Sequence, residues 1–308
     1  MTSASAPGKI ILFGEHAVVY GRPALAAPVN QVRATATINP LPAGGVQVEA
    51  PDVDLFSPLV NLPAEHPIAA AITGALKAME VDDCPSFTLR IDSSIPVASG
   101  LGSGAAVSVA VIRALSAFLN RPLSDERVSS LAFEIEKLHH GTPSGIDNYV
   151  VTYARPVFFI RDKPIEVLKV GNPFSIVIGD TGIFSPTKET VSAVRKAWQA
   201  ETSRYERLFD GIGSIASHAR QAIEKGDNAL VGALMNRNHA LLKEMGVSSP
   251  ALDNLVDAAR ACGAPGAKLS GGGGGGNMIA LAAGDQCQEL AQAILAAGAR
   301  RTIITRVG

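Results

Sequence analysis

The chain has 308 residues, about twice the usual domain size, so two domains or one large domain are expected. Hydrophobic residues make up 47% of it, which is enough for a buried core. The formal net charge of −1 gives no basic excess that would favour nucleic acid or an anionic membrane as a partner. Any bound phosphate must therefore be held by local groups.

The cysteines and the N-terminus bear on location. Three scattered cysteines, Cys84, Cys262 and Cys287, form no CxxC pair, which argues against disulfides and structural zinc. The first nine residues, MTSASAPGK, lack the regions of a signal peptide, and the apolar runs end before membrane-spanning length. These features predict a cytoplasmic location and no membrane partner.

Strands and helices are both predicted in the first half of the chain. Alternating or continuous apolar residues predict strands over 9–13, 29–38 and 87–91, and helical spacing predicts helices over 67–79, from 105 and from Ser124. The short run 46–49 follows turn residues, so it is expected to return as a hairpin partner of the strand before it.

The second half begins after a stretch rich in proline and charge, residues 156–173. We place the domain boundary there, which gives domains over 1–165 and 166–308. Periodicity then predicts a strand over 174–178, helical stretches around 187–224, 227–245 and 250–261, and a strand over 278–282.

Two glycine-rich segments are candidate phosphate sites. The first, SGLGSGAA at 99–106, joins a strand to a helix, an arrangement that aims backbone N–H groups at an anion, although it lacks the lysine of a Walker motif. A simple tight turn is the alternative. The second is the hexaglycine 271–276, which is either a flexible linker or a ligand-facing loop; its apolar flanks favour the loop.

Several polar residues stand near these segments. Glu136 lies next to the apolar stripe of its helix, and Asp147 follows the helix-breaking run GTPSG. Each is alternatively a surface charge or a helix cap. The adjacent His139 and His140 are not assigned as metal ligands. Glu15 and His16 follow a strand end, where either substrate-binding groups or a buried, satisfied pair is expected.

Four segments in fixed order resemble the GHMP kinases, the superfamily named for galactokinase, homoserine kinase, mevalonate kinase and phosphomevalonate kinase. They are PGKIILFGEHAVVYG at 7–21, IPVASGLGSGAA at 95–106, EKLHHGTPSGIDN at 136–148 and KLSGGGGGGNMIAL at 268–281. The resemblance covers nearly the whole chain. The first segment resembles the mevalonate kinases among them, because galactokinases carry asparagine at the position of Lys9 and continue GEHTDY. The segment at 136–148 also resembles the mevalonate kinases, through its pattern of Glu followed by HG, PSG and D.

The resemblance implies an ATP-dependent and Mg²⁺-dependent kinase for the small molecule mevalonate, with a role for each matching residue. Asp147 would accept the proton of the substrate hydroxyl, and Lys9 would lower its pKa and stabilise charge at the γ-phosphoryl group. Ser103 and Glu136 would hold Mg²⁺. The implied mevalonate pocket comprises Lys9, Glu15, His16, Ser144, Gly145, Asp147 and Thr187. The implied ATP cradle comprises Pro96, Val97, Ala98, Ser99, Gly100, Leu101, Gly102, Ser103, Gly104, Ala105, Ala106, Gly272, Gly273 and Gly274.

The implied fold is α+β: an N-terminal α/β domain with a left-handed crossover and a ferredoxin-like C-terminal domain, with the active site in the cleft between them. A homodimer is expected by analogy. The chain departs from the common pattern at Gly104, Gly272, Asn277 and Ser185. Another small-molecule GHMP kinase, acting on phosphomevalonate or a sugar, and a non-catalytic ligand-binding protein on this fold are the alternatives.

Overall fold

The computed structural model describes residues 1–96, 99–140 and 144–308. The strands are β1 Thr2–Phe13, β2 Ala24–Pro40, β3 Val46–Ala50, β4 Leu55–Pro58, β5 Phe87–Ser93, β6 Val157–Phe159, β7 Glu166–Val167, β8 Phe174–Asp180, β9 Gly266–Ser270, β10 Asn277–Leu281 and β11 Arg301–Val307. The α-helices are α1 Pro67–Ala78, α2 Ser103–Phe118, α3 Asp125–His140, α4 Ile146–Tyr153, α5 Thr187–Ala200, α6 Thr202–Lys225, α7 Asn228–Glu244, α8 Pro250–Ala261 and α9 Cys287–Ala296.

The chain divides into two compact units. The first takes residues 1–8, 32–97 and 101–154, and the second takes residues 9–31, 98–100 and 155–308. Strands β1 and β2 contribute residues to both units. The boundary between residues 165 and 166 stays a prediction.

The first unit combines strands with the helices α1 to α4. Its strands lie in the order β4-β3-β5-β2, in which β5 is antiparallel to β2 and parallel to β3. Phe87, Leu89 and Ile91 alternate along β5 and are buried. Helix α2 packs against α1, α3 and α4, and its buried face is built largely of small residues that let these helices approach it closely.

The predicted hairpin between β2 and β3 is wrong, because β5 lies between these two strands. The turn after β2 is bound to the start of β5 instead: Leu41 N–H donates to Ser86 O, and Phe87 N–H donates to Gly45 O. Strand β3 then pairs in parallel with β5 through a crossover that contains α1. The turn residues between 40 and 45 indicated a reversal, but they could not indicate which strand would fill the neighbouring position.

The second unit contains a four-stranded antiparallel sheet with the order β11-β8-β10-β9. Numbered along the chain, this order is 4-1-3-2, with helices after its first and third strands, which is the ferredoxin-like arrangement. Its core includes Val177 and Met278 of the sheet together with Phe209 and Leu255 of the helices. The α+β class predicted from the sequence is confirmed.

Candidate active site

The segment after β1 is fixed against helix α6. Beyond Phe13 the chain turns into a short 3-10 helix, Ala17–Tyr20. The ring of Tyr20 stacks on Phe209 with centroids 4.1 Å apart, and Arg22 donates to Glu206 and Asp210 of the same helix. These contacts hold the intervening residues, Glu15 and His16, in a buried position.

Glu15 forms a buried ion pair with Lys268 of β9. Both side chains are fully buried, and the ammonium group of Lys268 donates to Glu15 Oε1. Burial raises the pKa of the Glu15 carboxyl, whereas the charges of Lys268 and Lys9 oppose that rise. Burial likewise lowers the pKa of the Lys268 amine. Glu15 Oε2 is buried and has no hydrogen-bond partner within the described part of the chain.

His16 connects the same segment to the glycine tract. Its Nε2–H donates to Gly272 O at 2.9 Å, which leaves Nδ1 as the acceptor of the neutral ring. Burial lowers the pKa of this imidazole, so the ring is neutral at neutral pH. His16 also has a φ of 59°, which is rare for a residue with a side chain. Such a conformation persists only where surrounding contacts hold it.

The hexaglycine is an ordered loop between β9 and β10. Gly274 N–H donates to Val247 O at 2.8 Å, and Gly276 N–H donates to Ile183 O at 3.1 Å. Thr187, at the start of α5, lies beside Gly272. The loop is therefore packed against two neighbouring segments of its own unit. The linker alternative is wrong, because a linker makes no such regular contacts.

Two further hydrogen bonds join separate segments of the second unit. Asn277 Nδ2 donates to Ser99 O at 2.5 Å, which attaches the central glycine loop to β10. The hydroxyl of Ser270 donates to Ile11 O at 2.7 Å, which attaches β9 to β1. Gly100 lies near the Asn277 amide, which would be 4.0 Å from a carbon placed on it.

The central loop feeds directly into a helix N-terminus, as predicted. Gly102 is left-handed, with a φ of 73°, and precedes α2, which begins at Ser103. Backbone N–H groups at Ser103, Gly104 and Ala105 have no partner earlier in the helix, so this end is suited to an anion. Leu101 and Ala106 are buried beneath it. Pro96 lies within the described residues, whereas Val97 and Ala98 lie outside them.

Glu136 of α3 lies against the first turn of α2. The side chain is buried, and its Oε1 would be 2.9 Å from a carbon placed on Gly104. A larger residue at 104 would therefore displace this carboxylate. The glycine is a departure from the family pattern that keeps the space beside Glu136 open, and it brings a carboxylate next to the hydroxyl-bearing residue Ser103.

Asp147 occupies the first turn of α4, where the helix dipole favours a negative charge. Gly145 precedes this helix, and Ser144 Oγ accepts from Ile146 N–H at 3.4 Å. Asn148 anchors α4 by donating to the hydroxyl and the carbonyl of Ser129. The preceding residues 141–143 and the side chains of residues 139 and 140 lie outside the described part.

The structure thus collects the predicted residues in two groups. In the second unit, Lys9, Glu15, His16, Thr187 and the glycine tract 272–274 belong to one set of contacting segments. In the first unit, Gly104, the residue after Ser103, lies beside Glu136, and Asp147 lies on the neighbouring helix α4, preceded by Ser144 and Gly145.

Two residues that touch the predicted ones were missed: Lys268, which donates to Glu15, and Asn277, which donates to Ser99 O. Lys268 had a signal, because it is a single charge within the apolar strand that leads into the glycine tract. A charge at a buried strand position requires a partner. Nothing local in the sequence indicated that this partner would be Glu15, since 253 residues separate the two.

Family comparisons agree with this architecture. Residues 68–155 match the GHMP kinases N terminal domain, and residues 219–300 match the GHMP kinases C terminal domain. The chain is 38% identical to the mevalonate kinase of Pyrococcus horikoshii over 324 residues, covering 99% of this chain and 95% of that protein. The chain belongs to the GHMP kinases, and it is a phosphotransferase.

Solved structures share the fold over the whole length. L. major mevalonate kinase, crystallised in complex with R-mevalonate, is 32% identical with a TM-score of 0.84, covering 100% of this chain and 96% of that one. Streptococcus pneumoniae phosphomevalonate kinase, crystallised with phosphomevalonate and AMPPNP, has a TM-score of 0.85 at 19% identity, covering 100% of both chains, and shows the fold alone.

Two features are absent from the described residues. No helix among them combines the length and apolarity needed to cross a bilayer. They also contain no cluster of three or more His, Cys, Asp or Glu that would make an all-protein metal site. A magnesium ion shared with phosphate oxygens does not need such a cluster, because one or two carboxylates suffice.

The glycine tract offers a matched pair of substitutions. Gly271 and Gly273 both have positive φ, so alanine is strained at either position by about 1–2 kcal/mol. A carbon on Gly273 would lie 1.9 Å from Val247 O, whereas one on Gly271 meets nothing within 4 Å. We expect Gly273→Ala to lower the thermal midpoint clearly more than Gly271→Ala. Equal midpoints in the two variants would contradict the packing of this loop.

Proposed function

We propose that this kinase transfers the γ-phosphoryl group of ATP to the 5-hydroxyl of mevalonate, giving 5-phosphomevalonate and ADP. The observation that carries the proposal is similarity over nearly the whole chain to proteins of that activity, at 38% identity to the Pyrococcus horikoshii mevalonate kinase. The L. major relative, with R-mevalonate bound, supports the same substrate. The buried polar set around Glu15 and His16 is consistent with recognition of a polar alcohol.

In this proposal the chemical step uses one acid–base group and one fixed cation. Asp147 accepts the proton of the substrate hydroxyl as its oxygen attacks the γ-phosphorus, and the bond from that phosphorus to the β,γ-bridging oxygen breaks. Lys9 lowers the pKa of the hydroxyl and stabilises the charge on the transferring group. Its burial in β1 favours this role, because fixed charges act more strongly away from water.

Nucleotide binding is assigned to backbone groups. The N-terminus of α2 supplies N–H groups that have no acceptor within the helix, and the positive end of a 16-residue helix dipole. The glycine tract has no Cβ atoms that would keep phosphates away from its backbone. We assign residues 96–106 and 272–274 to ATP. Backbone donors explain how a chain with a net charge of −1 binds a polyanion.

The proposal includes Mg²⁺ held by Ser103 and Glu136. These residues fit the ion, because the buried Glu136 carboxylate lies against Gly104, the residue after Ser103, and Mg²⁺ prefers oxygen ligands such as a carboxylate and a hydroxyl. When bound, the ion would neutralise charge on the phosphate oxygens. The remaining pocket residues of the proposal are Ser144, Gly145 and Thr187, which would position the alcohol.

Location and assembly accompany the proposal as expectations. A cytoplasmic location and a homodimer remain predictions from the sequence and from analogy, respectively. Neither is required for the chemistry, since the proposed catalytic groups all belong to one chain.

A panel of candidate alcohols tests the proposed function. We expect ADP release in a coupled assay with mevalonate, and kcat/KM at least about 100-fold lower with 5-phosphomevalonate, galactose or homoserine, since a site complementary to one alcohol rejects analogues that leave its polar groups unpaired. A preference for 5-phosphomevalonate or a sugar would favour another GHMP kinase. ADP release with none of them would favour a ligand-binding protein on the same fold.

Removing the proposed base tests its assignment. Asp147→Asn keeps the shape of the side chain, and we expect kcat to fall by about 10²–10⁴-fold, the usual contribution of general base catalysis. Asp125→Asn is the matched control, because Asp125 also occupies the first turn of a helix but is exposed and pairs with Arg113. A folded Asp147→Asn enzyme with near-normal kcat would remove Asp147 from the mechanism.

The proposed metal ligand is tested by its magnesium requirement. We expect Glu136→Gln to raise the free Mg²⁺ concentration for half-maximal activity about tenfold or more, with a smaller effect on the mevalonate KM. Glu134→Gln is the control on the same helix, since Glu134 is exposed and paired with Lys137. The same half-saturation point in both variants would return Glu136 to a purely structural role.

A further inference from the structure

Among the described residues, Lys268 is the most deeply buried lysine, and it is not part of the proposed catalytic or binding site. It lies in the middle of β9, and its relative exposure is 0%. The ammonium group donates to two oxygens, Glu15 Oε1 and Leu269 O, the latter at 2.6 Å. The proposed reaction steps do not use this ammonium group.

A buried ion pair is an expensive way to join two strands. The desolvation of both charges offsets most of their attraction, so an apolar pair of similar volume often serves stability equally well. Ser270, two residues further along β9, already joins this strand to β1 through the carbonyl of Ile11. Joining β9 to β1 therefore does not by itself account for the ion pair. Its role must depend on the charge of the Glu15 carboxylate.

The second oxygen of that carboxylate supplies the reason. Glu15 Oε2 is buried, and the described residues offer it no donor. An unsatisfied buried acceptor costs roughly 1–3 kcal/mol, more when it is charged, so a donor from outside the chain is expected when the site is occupied. The hydroxyl groups of an alcohol substrate are such donors.

We propose that Lys268 is a positioning residue for the kinase reaction: it fixes Glu15 through one carboxylate oxygen, so that the other accepts a hydrogen bond from a hydroxyl group of the substrate. The proposal rests on the proposed function, because it takes the substrate to be a polyhydroxylated alcohol. Lys268 itself does not touch the substrate.

The surrounding charges determine what removal of Lys268 does. Lys9 and Lys268 are the cations that lower the pKa of Glu15 against the opposing effect of burial. His16, the next residue, is buried and neutral at neutral pH, and His239 of α7 has its pKa lowered to about 4, so neither supplies a positive charge. Without Lys268, one of the two opposing cations is lost and burial raises the pKa of Glu15 further.

The test uses Lys268→Met, which keeps most of the side-chain volume but removes the charge. We expect its KM for mevalonate to be about ten times that of the wild type at pH 7. We expect this ratio of KM values to fall as the pH rises towards 9. The direction follows from the raised pKa of Glu15, because the carboxylate that accepts the hydrogen bond re-forms only above that pKa. Ser270→Ala is the matched control, since it breaks a neighbouring link between β9 and β1 without changing a charge.

A ratio that does not vary with pH would overturn the proposal, and so would a Lys268→Met profile that matches that of Ser270→Ala. A second variant covers a failure of Lys268→Met to fold. Glu15→Gln with Lys268→Met leaves no unpaired buried charge, and we expect its KM to equal that of Glu15→Gln alone at every pH. A further increase in KM would show that Lys268 acts independently of Glu15.

The substrate preference of the wild-type enzyme distinguishes a failure of this proposal from a failure of the proposed function. If it phosphorylates mevalonate and the variants behave otherwise than expected, only the role of Lys268 fails. If it prefers another alcohol, the proposed function fails, and the same KM ratios measured with that alcohol still test the role of Lys268.

Discussion

The buried pairing of Glu15 with Lys268 is the constraint around which the second unit's candidate residues are arranged. It fixes the segment after β1 to β9, the strand that leads into the glycine tract. His16 follows in a strained conformation and donates to the tract itself. Because the aromatic packing of Tyr20 and the bonds of Arg22 hold the far end of this segment on α6, its conformation is determined from both sides.

Electrostatics in this protein is local. A chain with nearly balanced charge cannot attract a nucleotide by its overall field, so attraction must come from groups with fixed direction. The N-termini of α2 and α4, at Ser103 and Ile146, provide such groups, because the first backbone N–H groups of a helix and its dipole point towards this end. The dipole at the start of α2 would attract phosphate, and at the start of α4 the acidic residue Asp147 occupies the first turn.

Local sequence patterns predicted most of the helices and strands, and the errors have physical causes. The strand and helix near residues 87 and 250 were predicted closely because their periodicity is strong. Strand β1 begins at Thr2 rather than Lys9, because small and polar residues at its start enter a sheet without an apolar signal. The helical stretch predicted over 187–224 is interrupted at Glu201, whose backbone leaves the helical conformation with φ −130° and ψ 53° and has no Gly or Pro beside it to indicate the break. The pairing of Glu15 with Lys268 is non-local, so no window of sequence contains it.

The four departures from the family pattern are better understood through their neighbours than one at a time. Gly104 leaves space for the Glu136 carboxylate, and a carbon on Gly274 would lie 2.6 Å from the Ser185 hydroxyl. Asn277 replaces a smaller residue and gains a bond to Ser99 O. A carbon at position 272 would lie 2.9 Å from Thr190 Oγ1, so a larger residue there requires Thr190 to shift. Each departure is thus coupled to a contact elsewhere in its own unit, and a single reversion towards the family pattern would change two positions in the structure at once.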